Sequence, residues 1–255
     1  MAKITFLGTA SSIPTAQRDN TSFIFQHKKE TFLIDCPGSV CQKLLKTGLD
    51  YKKVNKLIIT HHHPDHIYGI ISFIHAQGHI NNKPVTVFSN ITVINLIKRL
   101  LRLFELNKKH YPKMEFIDVL EKPCFFDNNG LRLEALKNKH AKGSFGIKFT
   151  LSEKKMFYSS DTAFYPAMLN KIKKLNLLIH DCTASSVYFK KHPSLFKLHT
   201  NSNDLAGFLE KNKNIFLVPV HFLLLEKGEM ARIKRELSKL GTRVIYPKDY
   251  GCISL

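Results

Sequence analysis

Lys56-Leu57-Ile58-Ile59-Thr60-His61-His62-His63-Pro64-Asp65-His66 is the stretch on which the fold turns. Its opening is apolar and rich in β-branched residues, the pattern of a short buried strand over 56–60. Pro64 cannot continue a ladder, so the histidines and Asp65 fall on a loop at the strand's end. Their spacing, H-x-H-x-D-H, lets His61, His63, Asp65 and His66 turn inward around one point. Neutral imidazole and carboxylate are the donors that suit zinc and related divalent ions. A terminal affinity tag would also be rich in histidine, but this run is internal, follows a strand and includes an aspartate. His62 points away from its neighbours in this spacing and is expected outside the site.

Working outward, residues 3–8, 22–26 and 30–35 read as strands, and 38–48 as a helix that Gly48 ends. Residues 67–80 predict one helix with Tyr68, Ile71, Ile74 and His75 on a common face. A strand over 84–88 leads to a helix over 91–106 with an apolar face of Ile94, Ile97, Leu101 and Phe104. Residues 113–136 carry two strands split by the turn Asp127-Asn128-Asn129-Gly130. Strands 146–151 and 155–159 form a hairpin-like pair, 164–174 a helix and 176–180 a strand. A helix over 201–212, a strand over 215–220, a helix over 228–240 and a strand over 243–246 complete the pattern. Strands cluster in both halves with helices between, which predicts an α/β fold of two mixed sheets face to face with helices on the outer faces. Residues 1–255 show no linker or low-complexity stretch, so one domain is expected.

Composition bounds the partners. The chain has 255 residues, 44% of them hydrophobic, enough for a large core. No stretch approaches a transmembrane helix, and Met1 to Gly8 enters a strand at once, so neither a signal peptide nor a membrane partner is expected. Five scattered cysteines (Cys36, Cys41, Cys124, Cys182, Cys252) make no disulfide framework. They predict a reduced, cytoplasmic protein, with Cys182 the thiol to watch. Lys plus Arg number 39 against 20 Asp plus Glu, a net charge of +19. Such a field favours polyanions, chiefly nucleic acid. A lysine-rich genomic bias would also raise the count, but acidic residues have not risen alongside.

The histidine signature resembles that of the metallo-β-lactamase superfamily of metal-dependent hydrolases, an αββα sandwich. Further motifs resemble the ribonuclease Z family, the tRNA 3′-processing endonucleases. They are Phe6-Leu7-Gly8-Thr9 with Arg18 and Asn20, then Ile34-Asp35-Cys36, then Ser159-Ser160-Asp161-Thr162, His180-Asp181-Cys182-Thr183, His199-Thr200 and Val218-Pro219-Val220-His221. Departures are Pro37-Gly38 for a usual Gly-Glu, Ile147-Lys148 for a common Tyr-Arg, and Asp181 where Glu is usual. That family often carries an inserted flexible arm that grips tRNA. No long Gly/Pro-rich insertion is visible, and 184–198 is the one short lysine-rich candidate. Small relatives without an arm cleave cyclic nucleotides or other small phosphodiesters.

The resemblance implies the remaining site. His61, His63 and His140 would hold one divalent ion, Asp65, His66 and His221 a second, and Asp161 would bridge them. Two zinc ions are expected, with manganese the alternative. Together they would activate water and neutralise phosphate charge, with Asp65 also orienting that water. His199 would protonate the leaving oxygen, and Asp181 would hold its imidazole. Asp35 would accept the outer N–H of a ligand histidine. Lys137, Lys139 and Lys142 either contact phosphates or are solvated. The leading reading is a tRNA 3′ endonuclease with precursor tRNA as partner and a possible homodimer. The alternatives are a small-substrate phosphodiesterase, cyclic or short, and, outside enzymology, a nucleic-acid-binding protein with a degenerate site.

Overall fold

A computed structural model describes residues 2–78 and 83–255. One sheet is built from β1 (Ala2–Gly8), β2 (Ser22–His27), β3 (Glu30–Ile34), β4 (Lys56–Ile58), β5 (Val85–Ser89) and β6 (Met114–Asp118). The other contains β7 (Cys124–Asn128), β8 (Leu131–Lys137), β9 (Phe145–Leu151), β10 (Lys154–Tyr158), β11 (Leu177–Asp181) and β12 (Phe216–Val220). A last strand, β13 (Cys252–Ser254), returns to pair antiparallel with β1. The spatial orders are β13-β1-β2-β3-β4-β5-β6 and β12-β11-β10-β9-β8-β7. Both sheets are mixed: β3 to β6 are mutually parallel, as are β10 to β12, while the remaining pairs are antiparallel.

The inner faces meet in one apolar layer. Phe23 packs edge-on to Tyr158 at 4.9 Å and Phe25 lies 4.6 Å from Phe149. Such pairs add about 0.5–1.5 kcal/mol each beyond their buried area. Outside the first sheet lie α1 (Val40–Lys46), α2 (Pro64–Ile67), α3 (Ile70–Gly78) and α4 (Ile91–Leu103). Val40, Phe73, Ile97 and Leu101 cover Leu33, Leu57 and Val87. Outside the second lie α5 (Pro166–Leu169), α6 (Ser186–Lys191), α7 (Ser202–Lys211) and α8 (Glu229–Leu237). Leu205, Leu209, Ile233 and Leu237 cover Leu178 and Leu217. The expected αββα layering is what forms. Among the described residues, no helix is long and apolar enough to cross a membrane.

Several element expectations need correction. The helix expected over 67–80 is broken at Tyr68 and Gly69. Gly69 donates its N–H to Cys36 O, and a Cβ there would sit 1.9 Å from Pro37 O. The break rotates the buried face of α3 to Ile70, Phe73, Ile74 and Gln77, leaving Tyr68 exposed. Residues 79 and 80 of that expected helix lie outside the described residues. Residues 113–136 hold three strands, because Asp118 takes the N–H of Leu120 into a turn and carries the chain across to the second sheet. The helix expected over 164–174 stops after one turn, ahead of a lysine-rich stretch with Lys174 at φ 58. The strand expected over 243–246 is a single bridge, Leu217 to Val244, since Pro247 lacks the donor to extend it. Phe104 is exposed at the end of α4, and Leu106 turns inward in its place.

Candidate metal centre

The parallel strands bring the histidine loop and its distant partners to one end of the molecule. Asp35 follows β3 and the run 59–66 follows β4. In the second sheet, His140 follows β8, Asp161 follows β10, Asp181 ends β11 and His221 follows β12. Because β8 and β10 are each antiparallel to β9, all these strands deliver their ends to the same edge. Three junction residues, Asp35 (φ 58), Ser160 (φ 53) and His221 (φ 65), sit in the left-handed region. That conformation costs a non-glycine residue about 1–3 kcal/mol, held where surrounding structure over-determines it.

Two sets of donors converge, sharing Asp161. One joins His61, His63, His140 and Asp161; the other joins Asp65, His66, Asp161 and His221. Asp161 Oδ2 lies 3.7 Å from His61 Nε2, 3.8 Å from His140 Nε2, 3.4 Å from His66 Nε2 and 3.0 Å from His221 Nε2. His63 turns Nδ1, not Nε2, inward, 3.0 Å from His140 Nε2. Asp65 Oδ2 is 3.4 Å from His66 Nε2 and 3.7 Å from His221 Nε2.

The donor set fits a divalent ion on two counts. The Nε2 atoms of His61, His66 and His221 are buried without an aligned hydrogen-bond partner, an expensive arrangement unless something other than protein takes their lone pairs. Ligand atoms about 2.0–2.1 Å from a tetrahedral zinc stand roughly 3.4 Å apart, close to the separations observed.

The opposite nitrogens are tied down. His66 Nδ1 donates to Asp35 Oδ2 at 2.9 Å, and Asp35 also accepts from Thr60 N at 2.8 Å and Thr60 Oγ1 at 3.0 Å. His61 Nδ1 meets Thr60 Oγ1 at 3.2 Å, and Ser160 Oγ donates to the same oxygen at 2.7 Å. His140 Nδ1 donates to Leu198 O at 2.9 Å. His221 Nδ1 meets Thr183 Oγ1 at 3.1 Å, which in turn donates to Asp181 Oδ1 at 2.7 Å. Each bond selects the tautomer that presents a lone pair inward.

The electrostatics divide the two sets. Burial pushes His61, His63 and His140 down, so all three favour the neutral form a metal requires. Burial opposes charge on His66 and His221 as well, but the carboxylates outweigh it. Asp161 and Asp35 raise His66 well above its ordinary value, and Asp161 takes His221 up to about 10. Burial would lift Asp161, yet His221 and His66 hold it well below the carboxylate range. Asp161 and Asp65 thus demand nearby positive charge, which a divalent cation supplies while displacing protons.

His199 stands beside this centre. Its Nδ1 is 2.9 Å from Asp181 Oδ2, its ring stacks on His221 at 5.0 Å and 16°, and it lies 4.9 Å from His140. Its side chain keeps 15% exposure, whereas that of Asp181 has none.

The structure thus brings together every residue named from the sequence for the site, and Asp35 beside them. It places His62 in neither donor set. Lys139 lies over the Tyr165 ring at 4.2 Å, while Lys137 and Lys142 line a separate cavity at the start of α4. Cys182 is buried and burial pushes its thiol up, so it is not a reactive thiol. Thr60, Ser160, Thr183 and the Leu198 carbonyl were missed. The hydroxyls adjoin motif residues and were findable; nothing in the sequence marks a carbonyl.

Known proteins share this architecture. A family model described as Anti-Pycsar protein Apyc1 matches residues 2–214. Ribonuclease Z of Oceanobacillus iheyensis is 28% identical over 157 residues, covering 60% of this chain and 51% of that protein. The chain spans about half the length of the first curated relatives it matches. Human tRNase Z, short form, superposes with a TM-score of 0.75 at 21% identity, covering 99% of this chain and 98% of that one. The metallo-β-lactamase fold protein YhfI of Bacillus subtilis superposes at 0.80 with 17% identity and the same coverage.

Proposed function

Since the chain belongs to the Anti-Pycsar protein Apyc1 family, within the ribonuclease Z-like hydrolases of metallo-β-lactamase fold, we propose that it is a metal-dependent phosphodiesterase acting on a small cyclic or short nucleotide diester. The observation that carries the substrate reading is the absence of a gripping arm among the described residues. Residues 9–21, one of the long connections between described elements, fold back through bridges from Ala10 to Asn20 and Phe222.

His61, His63 and His140 would hold one divalent ion, Asp65, His66 and His221 the other, with Asp161 between. The ions, when bound, activate the attacking water and neutralise charge on the phosphate. Zinc suits the imidazole-rich donors best, with manganese the alternative. The chain's own groups then position and protonate. Asp65, with 10% side-chain exposure, reaches the mouth and orients the water. His199, held through Nδ1 by Asp181, turns its other nitrogen to the leaving oxygen and donates the proton there. Asp35, Thr60, Thr183 and the Leu198 carbonyl keep the ligand rings from turning. Five unpaired cysteines support a reducing, cytoplasmic setting, and the exposed Leu103 and Phe104 at the end of α4 suit a homodimer.

A second reading, cleavage of tRNA 3′ ends, is favoured by the +19 charge and by the ribonuclease Z relatives. The test assays one metal-loaded preparation on cyclic mononucleotides, on bis(p-nitrophenyl) phosphate and on precursor tRNA. Cyclic turnover with an intact precursor is the expected result. Precise 3′ cleavage of the precursor with inert cyclic nucleotides would replace this reading with the second.

A further inference from the structure

A cavity lies at the opposite end of the first sheet from the metal centre. It measures about 870 Å³, within the roughly 300–1,000 Å³ of small-molecule sites. Its walls are the last turns of α4, the connection over 104–113 and the beginning of β6. The strand β6 runs parallel to β5 with Ser89 opposite Asp118, so Asp118 marks the metal end and Met114 the far end. Five residues of strand separate the ends by about 13 Å.

The lining is of two kinds. Leu101, Leu106, Met114 and Phe116 give an apolar floor, and Lys98, Arg102, Lys108, Lys109 and Lys113 surround it. Among the described residues, no carboxylate lines the cavity. Lys108 is paired with Glu105, and Lys113 has Glu115 at 3.9 Å. Lys98, Arg102 and Lys109 have no carboxylate partner among the described residues. Lys98 instead rests its ammonium over the Phe116 ring, 5.1 Å from the centroid, and both side chains line the cavity, so a base would reach the ring by displacing that ammonium.

Unpaired cations gathered over an aromatic and aliphatic floor match a ligand with a flat apolar part and a phosphate tail. A base stacks on the floor, worth about 1–3 kcal/mol on aromatic platforms, and phosphate oxygens meet ammonium and guanidinium groups. A bare anion would leave the floor unused, and a neutral apolar ligand would leave the cations unanswered. We propose that this cavity is a second ligand site, separate from the metal centre, that binds a nucleoside phosphate.

The test measures binding of ADP, a phosphoanhydride lacking a diester, to the metal-loaded protein by calorimetry. It compares wild type with Lys98→Glu/Lys109→Glu, with the single Lys109→Glu as a milder variant, and with Asp161→Ala. The double variant should weaken ADP roughly ten- to a hundredfold, the scale of lost charge-assisted contacts, while bis(p-nitrophenyl) phosphate turnover is unchanged. Asp161→Ala should bind ADP as wild type does. ADP binding lost in Asp161→Ala but kept in the lysine variants would overturn the proposal, since the nucleotide would then sit at the metal centre. Equal affinity for inorganic phosphate would also overturn it, because the floor would contribute nothing. Binding of single-stranded RNA without ADP would make this face a nucleic-acid track and end the small-ligand assignment. The binding readouts do not involve diester cleavage, so they stand apart from the proposed activity.

Discussion

Asp35 joins four groups through one buried carboxylate: the Thr60 amide and hydroxyl, the Tyr158 hydroxyl and the His66 ring. Its left-handed backbone is tolerable because aspartate visits that region more easily than most residues. Asp35→Asn keeps the size but removes the charge that fixes His66. Metal affinity should fall about 10–100-fold, the usual effect of losing an outer partner, with secondary structure retained. Competition against a graded set of chelators measures it, and an unchanged affinity would show that His66 needs no such support. His66→Ala and Asp161→Ala remove donors outright and should abolish diester hydrolysis; wild-type turnover at saturating metal in either would sink the two-metal assignment. His199→Ala should behave differently. It should lower turnover on a diester with a poor leaving group by roughly 10²–10⁴, keep its metal, and show a smaller defect with p-nitrophenolate, which departs without a proton. Metal loss in that variant would make His199 a ligand instead.

At the scale of elements, the segment that carries His199 is clamped from behind by α8. Glu229 accepts from Ser185 N at 2.6 Å. Glu236 accepts from Ser186 Oγ at Oε1 (2.6 Å), and from both Ser186 N (3.0 Å) and Ser202 Oγ (2.5 Å) at Oε2. One carboxylate therefore fastens the starts of α6 and α7, the two helices that bracket His199 and the Leu198 carbonyl on His140. Glu236→Ala strands a backbone donor at a cost of about 1–3 kcal/mol, so the melting temperature should drop. Turnover should fall more on the poor leaving group than on the p-nitrophenyl diester, because His199 is what loses its place. Glu236→Gln keeps an acceptor and should recover most of both losses; equal losses on the two substrates would mean the clamp serves the fold alone. None of this was legible beforehand. The strands around the metal centre were readable because each is a short apolar or alternating run that leads into polar residues, and the candidate ligands follow those ends in order. Gly69 was not readable as a helix break, since only the approach of the Pro37 carbonyl forces it. β13 escaped notice because Cys252-Ile253-Ser254 carries no strong period, and its partner β1 lies about 250 residues away in the chain. Long-range pairing of that kind, like the α8 clamp, is set by tertiary position and leaves no local pattern.

At the scale of the whole molecule, the +19 charge has to be reconciled with the small substrate proposed above. Lysine answers charge and carries no sequence information, so the field attracts any anion and a long one most. A polyanion displaces counterions along its backbone, and its affinity falls steeply with salt, with a log–log slope of roughly −0.7 per neutralised phosphate on a single strand. A cyclic mononucleotide brings one charge and releases about one ion. Its KM should therefore change little between about 50 and 200 mM salt, where a ligand making 6–10 phosphate contacts loses about 10³–10⁵ in affinity. Both slopes can be measured on the same preparation, with a cyclic nucleotide as substrate and tRNA as competitor. If the small diester is the substrate, raising salt should release tRNA and leave cyclic turnover nearly intact, so tRNA inhibition fades while kcat/KM holds. If kcat/KM for the small diester instead collapsed in parallel with tRNA binding, the surface charge would be acting on catalysis itself. A long anion would then have to be the molecule the site is built to receive.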